Sequence, residues 1–250
     1  MDYTLPNWLQ EVGSSIYWIC QFALLYPLWV AWQRREYWTL PVQILFWVLV
    51  ALEINCFFLN TLNLLSLNAE FIAMFELPSY GISTWGFAHL QSNIRCLGFI
   101  GVYYYALQSQ TIRRVLHGWI PVLVLIALFD SFYFNPFLEF KHNEYTEFSQ
   151  NITVIVLCLL YFEQLLQQLR TSQIEREPMF WISISAIVQL TGVLVFGNII
   201  NKMLADTNYT NGRNYQALFG LVHSSVTLVS YGLLTLAFYQ LGRQQKMVLK

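Results

Sequence analysis

The sequence predicts an all-helical membrane protein, a bundle of seven transmembrane helices with its N-terminus outside and its C-terminus in the cytoplasm. Three observations predict it. Of 250 residues, 56% are apolar and only 11% charged, against about 25% charged in a soluble domain, and mean hydropathy is clearly positive. Apolar residues gather into seven runs, each long enough to cross a hydrocarbon core of about 30 Å as a helix. Basic residues then alternate between the intervening loops in a way that fixes one orientation. Seven spans with short loops use nearly the whole length, which leaves no room for a soluble catalytic domain.

The runs are, approximately, Ser15–Trp32, Leu40–Leu64, Gly81–Leu107, Leu116–Phe134, Phe148–Leu169, Phe180–Leu204 and Tyr215–Leu241. Residues 1–14 are expected outside, 15–241 to form the helical domain, and 242–250 to form a short cytoplasmic tail. The opening MDYTLPNWLQEVGSS has no basic region and no small-residue cleavage site, so it is not read as a cleavable signal peptide. Runs two and three carry more polar residues than lipid-facing helices tolerate, which places them inside the bundle.

Arg34, Arg35, Arg113, Arg114, Arg170, Arg176, Arg243, Lys246 and Lys250 fall on one side, and only Lys141, Lys202 and Arg213 on the other. The richer side is the cytoplasmic one. Trp8, Trp32, Trp38, Trp85, Trp119 and Trp181 lie near run ends, where amphipathic rings favour the interface. The N-x-[ST] triplets Asn151-Ile-Thr153 and Asn208-Tyr-Thr210 fall on the outer side.

Ionisable residues inside a bilayer each need a partner or water. Four lie within the runs: Glu53, Arg95, Asp130 and Glu163. Counting inward at about 1.5 Å per residue puts Glu53 and Arg95 both at about 21 Å depth. They sit on consecutive antiparallel helices, so Arg95 is expected to pair with Glu53. Glu163 is read as snorkelling to the cytoplasmic interface. Nearer the outside, Asn60, His89, Asn93, Asp130 and His223 form a second polar layer, with Asn63, Thr227 and Ser230 beside it and Gln189 near the ion-pair level. That layer is expected to line a pocket for a small lipophilic ligand. Interhelical hydrogen bonding alone is the plain alternative.

Several chemistries are disfavoured. Net charge is −1, which gives no basic surface for nucleic acid. Helix seven has no lysine to form a retinal Schiff base, and no cofactor is expected. Zinc on His89, Asp130 and His223 would make a metal-dependent membrane hydrolase, but the histidine pairs of such enzymes are lacking. The four cysteines lie within apolar runs and read as packing residues. No nucleophile elbow or phosphate-binding loop is present, so an enzyme is not expected.

Three segments carry a family likeness: FKHNEYTEFSQNITVIVLCLLYFEQLL (140–166), REPMFWISISAIVQLTGVLVFGNII (176–200) and LVHSSVTLVSYGLLTLAFY (221–239). With Tyr161, Phe162, Leu165 and Leu166, then Pro178, Phe180, Trp181 and Ile182, and finally His223, the chain resembles uncharacterised seven-helix membrane proteins of Bacteroidota. Those in turn are similar to the seven-helix sensor regions that precede some bacterial histidine kinases. The resemblance implies a bacterial inner-membrane location and a sensory role. No kinase module follows Leu241, so output would pass through a separate cytoplasmic signalling protein. The expected function is a receptor-like sensor of a small apolar or amphipathic ligand. A transporter or channel through Glu53, Arg95 and Gln189, the hydrolase above and a subunit of a larger membrane assembly remain the alternatives.

Overall fold

The computed structural model describes residues 12, 15–16, 19–20, 22–66, 85–134, 144–168, 174–205 and 209–241. Among them every regular element is helical. We number the α-helices α1 (Leu25–Gln33), α2 (Leu40–Ser66), α3 (Trp85–Ala106), α4 (Gln110–Phe129), α5 (Glu144–Gln168), α6 (Pro178–Ala205) and α7 (Tyr209–Gln240). Short 3₁₀ turns at Arg35–Tyr37 and Ile174–Arg176 and a π-helical turn at Asp130–Phe134 join them.

Helix starts follow local chemistry more than hydropathy. The apolar run of α4 begins at Leu116, but its backbone begins six residues earlier. There Ser109 caps the helix, its Oγ accepting from the Ile112 N–H at 3.4 Å. In the same way α5 begins at Glu144, ahead of the apolar run at Phe148. Pro178 opens α6, where its missing N–H costs nothing. Pro121 lies inside α4 and has no N–H for the carbonyl one turn back.

Among the described residues four stretches are long and apolar enough to cross a membrane: Leu40–Thr61, Gln110–Tyr133, Tyr145–Gln167 and Leu221–Gln240. A shorter apolar stretch runs from Pro178 to Gly192. Polarity is inverted relative to a soluble domain. Phe57, Phe129, Phe132 and Tyr133 point outward, while Asn55, Asp130, Gln150, Asn151, Ser185 and Ser230 are buried. Large apolar side chains on the outside suit a lipid environment, and the buried polar groups are kept away from it. The chain is a helical integral membrane protein.

The described residues group into two compact units. One comprises residues 1–39 and 155–250, the other 40–154, with the boundary inside α5. In the first unit α6 packs along α7, and α1 also packs on α7. Ser185 and Ser230 hold α6 to α7 reciprocally. Their hydroxyls lie 2.7 Å apart, and each lies within hydrogen-bond distance of the other residue's carbonyl, at 2.9 and 3.2 Å. Close approach is allowed by Gly192, where a Cβ would stand 2.5 Å from a Val226 methyl. In the second unit α2 packs along α3, and Gly98 against Val48 plays the same part. Both contacts use a small residue to bring backbones together, as dispersion-driven helix packing in lipid requires.

Candidate functional site: a polar cluster on three helices

The second unit gathers polar side chains from α3, the π turn and α5. On α5 the first turns read Thr146, Glu147, Gln150 and Asn151, a spacing of i, i+1, i+4 and i+5 that puts all four on one face. On α3 they meet Ser92, Asn93 and Arg95. Arg95 Nη2 donates to Glu147 Oε1 at 3.4 Å and to Asn151 Oδ1 at 3.2 Å. Both side chains of the ion pair are mostly buried, at 16% and 19% exposure. Gln150 bridges the same helices with both ends of its amide. Its Oε1 accepts from Ser92 Oγ at 3.0 Å, and its Nε2 donates to Asn93 Oδ1 at 2.8 Å.

Asp130 opens the π turn that follows α4 and is 1% exposed. Its Oδ2 accepts the backbone N–H of Thr146 at 2.8 Å. That N–H belongs to the first turn of α5, where helix geometry supplies no intrahelical acceptor, so Asp130 caps a helix other than its own. The positive end of the α5 dipole favours the carboxylate there. Trp119 adds a further tie from α4, its indole N–H donating to Thr153 Oγ1 at 3.1 Å. Among the described residues two buried polar atoms of the cluster have no partner, Thr146 Oγ1 and Asn151 Nδ2.

This arrangement corrects the expected partner of Arg95. Glu53 lies on α2, half-buried, and makes no ion pair with it; the carboxylate on Arg95 belongs to Glu147. Hydropathy placed Glu147 in a loop because the apolar run starts at Phe148. Arg95, in the middle of α3, reaches the first turns of α5. The sequence signal was present in the polar spacing 146, 147, 150, 151, but it falls at the edge of a run that hydropathy defines.

The other expected residues are distributed as follows. Asn93 and Asp130 belong to the cluster. Asn60 is half-buried late in α2. His89 lies in α3, with its side chain outside the described residues, as is the side chain of Asn63. His223 and Gln189 are half-buried in the first unit, on α7 and α6. Thr227 donates to the His223 carbonyl on its own helix at 2.9 Å, and Ser230 is paired with Ser185 on α6. Among the described residues, no group of three or more His, Cys, Asp or Glu is placed to hold a metal ion. Glu163 is exposed and accepts from Gln167 at 3.2 Å.

Several arginines near helix ends bind the protein itself. Arg34 Nη1 donates to the Leu241 carbonyl at 2.8 Å and its guanidinium lies over Tyr239. Arg113 donates twice to the Leu107 carbonyl, at 3.0 and 2.8 Å, and lies over Tyr104. Arg35 lies over Trp32. Trp38 and Trp181 donate to the carbonyls of Ala31 and Glu175. Such arginine–aromatic pairs seal helix ends that would otherwise leave carbonyls open. Arg114, by contrast, is exposed.

No family model, curated protein or solved structure matches the chain.

Proposed function

We propose that the chain is a receptor-like, seven-span protein of a bacterial cytoplasmic membrane, N-terminus outside, that senses a small apolar or amphipathic ligand and signals to a separate cytoplasmic partner. The observation that supports this reading is the polar cluster on α3, the π turn and α5, with its two unpartnered buried atoms. A purely structural network is expected to close its own hydrogen bonds, since an open buried group costs about 1–3 kcal/mol. Open groups beside a part-exposed guanidinium are what a ligand would complete. The π turn at Asp130 adds weight, because such turns recur at functional sites. Asn93 and Asp130 are the two expected ligand residues that the cluster includes. The exposed Arg114 and its neighbours would meet the partner or anionic lipid. The resemblance of segments 140–166, 176–200 and 221–239 to seven-helix proteins of Bacteroidota, which are themselves similar to bacterial sensor regions, implies the same.

The test is mass spectrometry of the intact protein purified in mild detergent, with solvent extraction of the same sample. A co-purifying lipophilic molecule that is lost from the Arg95→Gln and Asn151→Asp variants is the expected result. Bare protein from wild type, repeated from native membranes without detergent, would sink the receptor reading.

A further inference from the structure

The open atoms of the cluster also define which class of ligand fits, an inference that rests on the ligand-sensing reading above. A guanidinium carries five N–H donors and no acceptor. Among the described residues Arg95 commits only Nη2, to Glu147 and Asn151, and Nε and Nη1 have no partner there. Its side chain retains 16% exposure. Because Arg95 has nothing to accept with, the Asn151 amide must turn Oδ1 toward it. Asn151 Nδ2 is then the end left over, and it is buried and unpartnered. The open groups on these two neighbouring side chains are all donors. An occupant that satisfies them presents acceptor oxygen, and an ammonium or other pure donor does not.

Charge narrows the class further. Glu147 already balances Arg95, and Asp130 supplies a second carboxylate held at the start of α5. A carboxylate or phosphate would bring a third negative group beside Glu147, in surroundings where unbalanced charge is strongly disfavoured. We infer that the cluster binds an uncharged lipophilic carbonyl compound, whose oxygen accepts from Arg95 Nε or Nη1 and from Asn151 Nδ2. The apolar body of that compound would lie among the lipid-facing side chains of the same helices.

The experiment uses the full chain in dodecyl maltoside, a detergent without a carbonyl, and reads thermal unfolding against three probes of one chain length. These are 2-dodecanone, dodecanoate and dodecylammonium. The expected result is a rise in Tm with the ketone and none with either ion at equal concentration. Asn151→Asp replaces the open donor by an acceptor and should weaken the ketone response about tenfold. Glu147→Gln leaves Arg95 unbalanced and should turn the preference toward dodecanoate, a reversal that a merely structural role would not produce. If Glu147→Gln does not fold, Asn151→Asp decides alone. A diester phospholipid that acts like the ketone, when its ether-linked analogue does not, would name the bilayer as the carbonyl source. An inactive diester would name a free compound. A wild-type response to dodecanoate equal to that of the ketone, or a ketone response unchanged in Asn151→Asp, overturns the carbonyl class while leaving a ligand site in place. Silence toward the ketone when extraction finds a bound molecule also overturns the class alone. Failure to extract any molecule removes the receptor reading itself.

Discussion

Arg95 sets the energetics of the second unit at the scale of single side chains. Its contact with Glu147 is long, at 3.4 Å, and single-pronged, where strong charge-assisted bonds run at about 2.7–2.9 Å. Even so, both groups are mostly removed from solvent, so deleting one strands the other. We expect Arg95→Gln to cost about 2–3 kcal/mol, less than the about 3–5 kcal/mol for breaking a fully buried pair because neither group is fully enclosed. A double-mutant cycle measured by chemical unfolding should show coupling between Arg95→Gln and Glu147→Gln. The cycle of Arg95→Gln with Glu53→Gln should be additive within about 0.5 kcal/mol. Coupling to Glu53 in place of Glu147 would contradict the geometry. Depth counting misassigned this pair because it locates Cα atoms, whereas a long side chain finds its partner by where its tip lies. Asn93 and Asp130 were legible as polar residues in apolar runs. The role of Glu147 was not, because three polar residues out of four ahead of the apolar run look like loop.

At the scale of helices, glycines report where backbones approach. Gly98 of α3 faces Val48 of α2 so closely that an added Cβ would meet both valine methyls, at 2.4 and 2.5 Å. Valine is branched at Cβ and has little freedom to swing away, so Gly98→Ala should destabilise by about 1–3 kcal/mol through overpacking. Gly118 of α4 has nothing within 4 Å of the same position. There alanine removes a poor helix former without a clash, so Gly118→Ala should be neutral or should stabilise by up to about 1 kcal/mol. Unfolding of the two variants side by side checks this, and equal effects would refute the packing account. Both glycines sit in apolar runs and look alike in sequence. What separates them is which helix lies opposite, and periodicity does not carry that information.

For the molecule as a whole, the helices were the most legible feature because hydropathy measures the property that a bilayer selects. The backbone of α2 starts at the expected residue, and the polar starts of α4 and α5 were missed because capping and first-turn contacts are not hydrophobic. Orientation in the membrane is testable on the same footing. Arg114 and Tyr145 are both exposed and open on opposite sides under the charge asymmetry. In a Cys56→Ser background, where the remaining native cysteines are buried, a membrane-impermeant thiol reagent added to intact cells should label Tyr145→Cys and spare Arg114→Cys. The reverse pattern would invert the topology.

The burial of Asn151 has a bearing on how the protein is made in foreign hosts. Asn151-Ile-Thr153 is a formal acceptor for N-linked sugar, yet in the folded chain the asparagine is 1% exposed and its carbonyl is held by Arg95. No oligosaccharide can be attached there once α3 and α5 have met. Chains expressed in eukaryotic cells should therefore run without a sugar at this position. A glycosidase-sensitive band that disappears in Asn151→Gln would then tag molecules that lingered unassembled, and its intensity would be a direct gauge of how often the two helices fail to find each other.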